Sequence, residues 1–100
     1  VALKIQILDQ RSIRHNTLIA SARVHIEDFG IVINDVKLFV KGESHWAQFP
    51  NKVYEKDGKK NYFSYIHFLD KEVEKEVLST VANLMLKEYE TGNLGANYAV

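Results

Sequence analysis

The 100-residue chain carries 13 Lys and Arg against 13 Asp and Glu, a net charge of zero, and contains no cysteine. A chain of this length makes one domain that buries roughly 60–70% of the surface its unfolded state exposes, so a core can form without staples. The missing thiols exclude a disulfide framework, a thiolate zinc site and a cysteine nucleophile, and they suit a reducing cytoplasm. No apolar run approaches the roughly 18 residues of a membrane span, and Val1-Ala2-Leu3-Lys4 lacks the layout of a signal peptide, so a soluble protein without membrane contact is expected. The chain opens on Val1 and not on Met, which leaves room for a segment upstream.

The even balance hides an asymmetry. Residues 1–26 set Lys4, Arg11, Arg14 and Arg23 against Asp9 alone, and residues 51–69 set Lys52, Lys56, Lys59 and Lys60 against Glu55 and Asp57. From residue 70 to 90 the acids Asp70, Glu72, Glu74, Glu76, Glu88 and Glu90 outnumber Lys71, Lys75 and Lys87. Local charge steers a polyanion more than the sum does, so the first part of the chain and residues 51–69 are the favoured side for one.

Leu3, Ile5 and Ile7 alternate with polar residues, which predicts a strand over residues 2–8. Asp9 to Asn16 reads as a polar loop or hairpin tip carrying Arg11, Arg14 and His15, either solvated or touching phosphate. Residues 17–27 alternate most cleanly, with Leu18, Ala20, Ala22, Val24 and Ile26 on one side, as a half-buried antiparallel strand does. Asp28-Phe29-Gly30 predicts a turn; the same triplet marks a kinase activation segment, but no other kinase motif accompanies it. In the next strand Val36, Leu38 and Val40 face inward. Asn34 shares their parity, so it is expected near the strand's start, bulged or hydrogen-bonded.

Gly42-Glu43-Ser44 links this strand to Trp46-Ala47-Gln48-Phe49, which Pro50 should end or push to an edge, since proline donates no ladder hydrogen bond. A short strand through Val53 and Tyr54 and a hairpin turn at Lys56-Asp57-Gly58-Lys59 follow. The aromatic run from Tyr62 to Leu69 is apolar on both faces, which suits a central strand or one covered by a partner. Asp70 is the expected N-cap of a helix of about five turns, with Glu72 and Glu74 favourably placed in its first turn. Val73, Val77, Val81, Leu84 and Met85 form its apolar stripe, and Gly92 is its expected stop. Leu78, Ala82 and Leu86 widen that stripe beyond the reach of a small sheet, which predicts a second contact surface, most simply a homodimer. The expected architecture is α+β: an antiparallel sheet of about five strands and one C-terminal amphipathic helix in a single domain over residues 1–91, with a mobile tail over 92–100.

These local patterns resemble the bacterial SpoVG family, the stage V sporulation protein G or septation regulators. Ile19-Ala20-Ser21 looks like part of that family's second strand. Ile33-Asn34-Asp35-Val36-Lys37 resembles its apolar stretch followed by His-Asp-Ile-Arg, and Trp46-Ala47-Gln48-Phe49-Pro50-Asn51-Lys52 is similar to its Phe-Val-Ala-Met-Pro-Ser-basic hallmark. Tyr65-Ile66-His67-Phe68 is similar to its last strand, although Phe68 stands in place of the usual proline, Asn51 in place of serine, and acids in place of the basic residues around the helix. The resemblance covers about residues 3–89. It implies a small α+β homodimer without catalytic activity or cofactor, which binds DNA or RNA and tunes the expression of genes for cell division and sporulation.

The physical case for nucleic acid rests on Lys52, Lys56, Lys59 and Lys60, with Tyr54 and Tyr62 near them and Arg11 or Arg14 adjacent: cations neutralise phosphates and exposed rings stack on bases. The plainer reading is a lysine-rich hairpin that protects a sheet edge. Trp46, Phe49, Phe63 and Tyr65 are read as core or dimer contacts and not as a ligand box, and Trp46, Phe49, Leu78 and Leu86 as the expected dimer contacts. His15, His25, His45 and His67 lack metal-ligand spacing, and the adjacent Ser44 and His45 cannot readily face each other on a strand to make a triad with Asp35. The competing reading is a protein-interaction module that docks a polypeptide through its sheet edge or acidic helix.

Overall fold

The computed structural model describes residues 3–91. The chain forms β1 (Ile5–His15), β2 (Leu18–Ile26), β3 (Ile31–Lys41), β4 (Ser44–Gln48), β5 (Asn51–Lys56), β6 (Lys59–Ser64) and α1 (Lys71–Thr91). The fold is α+β, with six antiparallel strands in two sheets rather than five in one: a meander in the order β1-β2-β3-β4, and a separate ribbon of β5 and β6.

Turn chemistry sets the meander. His15 pairs with Leu18 around Asn16, which takes a φ of 57°, and Lys41 pairs with Ser44 around Gly42 at 62°. Asparagine and glycine tolerate this left-handed region, as the tight hairpins require. In the ribbon, Asp57 (φ 55°) and Gly58 (φ 75°) are the two central residues between the paired Lys56 and Lys59.

Helix α1 covers one face of the meander. Asp70 caps it, its Oδ1 accepting from the backbone N–H groups of Glu72 (3.0 Å) and Val73 (3.3 Å). Glu74 accepts the N–H of Phe68 at 3.0 Å, which ties the incoming segment to the first turn. Val77, Val81, Ala82 and Met85 are buried against Ala20, Ala22, Val24, Ile26, Ile33, Val36, Leu38 and Ala47. Ala82 is therefore covered by the chain's own sheet, and Leu78 and Leu86 are half-buried against the same core. The helical stripe is wider than the alternation of the strands suggests because the sheet is four strands across and reaches it from β1 to β4.

Bulges account for two departures from simple alternation. Between the pairs Ala22–Val36 and Val24–Ile33, Arg23 alone opposes both Asn34 and Asp35. The extra residue, with Asp35 at a φ of 59°, lets Ile33 and Val36 both point into the core while Asn34 turns outward and accepts from Arg23 Nε at 3.1 Å. On β1 the register shifts between Ile7 and Asp9, so the strand runs on to His15 where a loop over 9–16 is expected. The polar residues there did not break the strand because the bulge re-phased it, which puts Gln10 into the core with Ile7.

The aromatic run departs further. Strand β6 stops at Ser64, and Tyr62, Phe63 and Tyr65 are 69%, 58% and 60% exposed. It is not a central strand: among the described residues its only ladder partner is β5. Only Ile66 and Phe68 of the following segment pack on the core, Phe68 stacking on Phe49 at 5.7 Å. Pro50 separates β4 from β5, as its missing donor requires. The expected stop at Gly92 and the tail over 92–100 lie outside the described residues.

Candidate functional site

Strands β5 and β6 make an arm that comes into close backbone contact with no other element. Directly opposed residues share a face and successive residues alternate, so the register sorts the arm's side chains into two sets. One face carries Lys52 opposite Phe63, Tyr54 opposite Asn61 and Lys56 opposite Lys59. The other carries Val53 opposite Tyr62 and Glu55 opposite Lys60. The sequence-predicted cluster is thus divided: Lys52, Tyr54, Lys56 and Lys59 lie together, whereas Lys60 and Tyr62 lie behind them.

The lysine face has a defined electrostatic character. Among the described residues none of its three lysines has an ion-pair partner, since the ion pairs are Arg23–Asp9, Lys37–Asp35 and Lys71–Glu74. Lys56 and Lys59 sit directly opposite each other, a placement that costs roughly 0.2–1 kcal/mol and that a bound anion would relieve. Tyr54 and Phe63 between them are 42% and 58% exposed.

The arginines belong to another place. Arg11 pairs with Ser21 and lines a cleft of about 420 Å³ on the sheet face away from α1, together with Asp9, Arg23, Asn34 and Asp35. Arg14 is exposed near the β1–β2 turn. No backbone of the arm comes close to β1, and Arg11 lies in a cleft that no arm residue lines, so Arg11 is apart from the lysine face.

The four residues read as dimer contacts have three different surroundings. Phe49 is buried within the chain. Leu78 and Leu86 lie two turns apart on α1, partly covered. Trp46 is 37% exposed on the sheet face away from α1, where it stacks on Phe39 with ring centroids 5.6 Å apart and planes 8° from parallel. That open face, with Lys37, Phe39, Trp46 and Gln48, is the part that reading the sequence missed. Its signal was present: Phe39 occupies the outward parity of β3 between Lys37 and Lys41, where an alternating strand places polar residues.

Asp35 and His45 lie on opposite faces of the sheet, Asp35 accepting from Ser21 Oγ at 3.0 Å and His45 Nε2 lying 2.8 Å from Asn83 Oδ1 of the helix. Among the described residues no three His, Cys, Asp or Glu side chains come together as a metal site, and no helix is long and apolar enough to cross a membrane. No family model matches the chain, and no curated protein matches it.

Proposed function

We propose that the chain is a non-catalytic, cytoplasmic regulator of the SpoVG type, which binds DNA or RNA as a homodimer through the lysine face of its arm. The observation that carries this reading is that face: three lysines without an ion-pair partner among the described residues, interleaved with two exposed rings, on a ribbon whose backbone lies close to no other element. Cations at this spacing track a phosphate backbone, and rings that stack on any base add affinity without sequence preference.

The test is fluorescence anisotropy of labelled short DNA and RNA across a salt series. Three phosphate contacts per arm predict an affinity loss of about 20- to 40-fold between about 50 and 200 mM salt, and a steeper one if two arms engage the same strand. Replacing Lys52, Lys56 and Lys59 with Glu should remove this dependence. Lys60→Glu, on the reverse face opposite Glu55, should weaken binding much less. Affinity that ignores both salt and the triple replacement would end the reading.

A second reading is favoured by β4, an edge strand of the meander that runs beside a groove lined by Lys71, Lys75, Leu78 and Asn83 of α1. A polypeptide strand could add to that edge, and indifference to polyanions would move the weight to a protein partner.

A further inference from the structure

The helix occupies only one face of the four-stranded sheet, and on the other two aromatic rings form a cross-strand pair that steadies β3 against β4 and still leaves Trp46 open. Phe39 and Trp46 are a cross-strand pair that belongs to no part of the buried core. Both rings line a cleft of about 550 Å³, whose wall Lys37, Gln48, Asn51 and Tyr62 continue, and Trp46 keeps 37% of its surface open beside it. Gln48 makes no side-chain hydrogen bond within the described residues, so its amide has both a donor and acceptors to offer. Tyr62, 69% exposed on the arm's reverse face, brings a second ring to the same cleft.

We propose that this open sheet face binds single-stranded nucleic acid, with one unpaired base stacked on Trp46 in the cleft that Tyr62 borders. The proposal rests on the nucleic-acid reading above and adds to it a site away from the lysine face and a preference for unpaired strands. A base inside a duplex offers its edges and keeps its ring faces stacked, whereas a splayed base offers a ring face to an aromatic side chain. Cations line the face in moderation. Lys37 is held by Asp35 at 3.3 Å and Arg23 by Asp9 at 2.9 Å, while Arg11 shares its cleft with those same two carboxylates and has no ion-pair partner among the described residues. With two of the three cations neutralised, stacking carries the affinity here, and the steep salt dependence comes from the arm.

Trp46 is the only tryptophan in the chain, and it lines both this cleft and the groove beside α1, so its fluorescence is read together with the replacement of Tyr62, which lines this cleft and not that groove. The experiment titrates the full chain with a single-stranded oligonucleotide, the duplex of the same sequence, and a free mononucleotide, following Trp46 emission and anisotropy of the labelled strand together. Quenching that saturates with the single strand, at an affinity at least about 10-fold above the duplex and the mononucleotide, is the expected result. Trp46→Ala and, independently, Tyr62→Ala should each weaken single-strand binding by about 5- to 100-fold, with the far-ultraviolet circular dichroism unchanged. Anisotropy that rises while Trp46 emission stays constant would overturn the proposal and leave the arm reading intact. No binding in either channel would overturn both. Equal quenching by the free mononucleotide would mean a small-molecule pocket, and emission that changes with protein concentration alone would mean that a second copy covers this face; either result overturns the single-strand assignment.

Discussion

Gln10 is the one fully polar side chain that the fold drives beneath the helix. Its Nε2 donates to the Met85 carbonyl at 3.0 Å, but its Oε1 is buried without a partner among the described residues. A net hydrogen bond contributes about 1 kcal/mol, whereas a buried acceptor left unmade costs about 1–3 kcal/mol. Gln10→Met, similar in length and volume, removes both. The expected outcome is therefore a protein of equal stability, or one more stable by up to about 1 kcal/mol, read from the urea midpoint at constant slope. A loss of stability of about 2 kcal/mol would instead mean that the amide's contacts, including an ordered water on Oε1, outweigh its burial. No parity rule in the sequence could announce this residue, because a single inserted position ahead of it exchanged the two faces of β1.

At the scale of elements, the arm and the body behave as separate parts. Gly58 has open space where a Cβ would go, so a substitution there acts only through its φ of +75°. Alanine in that conformation costs on the order of 1 kcal/mol. Because the arm makes no close backbone contact with the body, Gly58→Ala should loosen β5 and β6 and leave the meander untouched. Amide exchange should speed up across residues 51–64 while protection in β2, β3 and α1 stays constant; uniform loss of protection would show that the arm and body unfold as one. This division also marks how much of the molecule could be read in advance. Strands β2, β3 and β4, the Pro50 break, the Asp57-Gly58 turn and the Asp70 cap follow from local chemistry, and each is where the pattern puts it. The sheet to which the aromatic run belongs does not, because alternation reports how apolar two faces are and not whether another element comes to cover them. For the same reason the candidate site was legible only as a cluster of residue types. Its division into a lysine face and a reverse face needed the register of β5 against β6, and the open face of the meander needed knowledge of which side the helix takes.

The whole molecule leaves apolar surface that a single copy does not cover. A two-stranded ribbon is marginal in water without a third strand or a helix against it. Yet at the base of this one Phe63 and Tyr65 meet edge to face at 6.1 Å, both more than half exposed, and Leu69 is 99% exposed just before the helix. Isolated apolar side chains on a surface need no explanation, but these three fall between residues 63 and 69 beside a ribbon that needs support. A second copy is the simplest cover, since it supplies an identical base, and the dimer proposed above would then carry two lysine-tipped arms. Doubling the basic surface would then raise affinity through effective concentration, with no new type of contact. Equilibrium sedimentation of the full chain should give twice the monomer mass at micromolar concentration. Tyr65→Lys with Leu69→Lys, which leave the lysine face of the arm intact, should return it to monomer and, in the same preparation, lower the affinity for long single strands more than for strands too short to reach two arms. A monomer at concentrations well above those used for binding would remove the dimer and with it this avidity, while the lysine face of a single arm would remain to be judged by its own salt dependence.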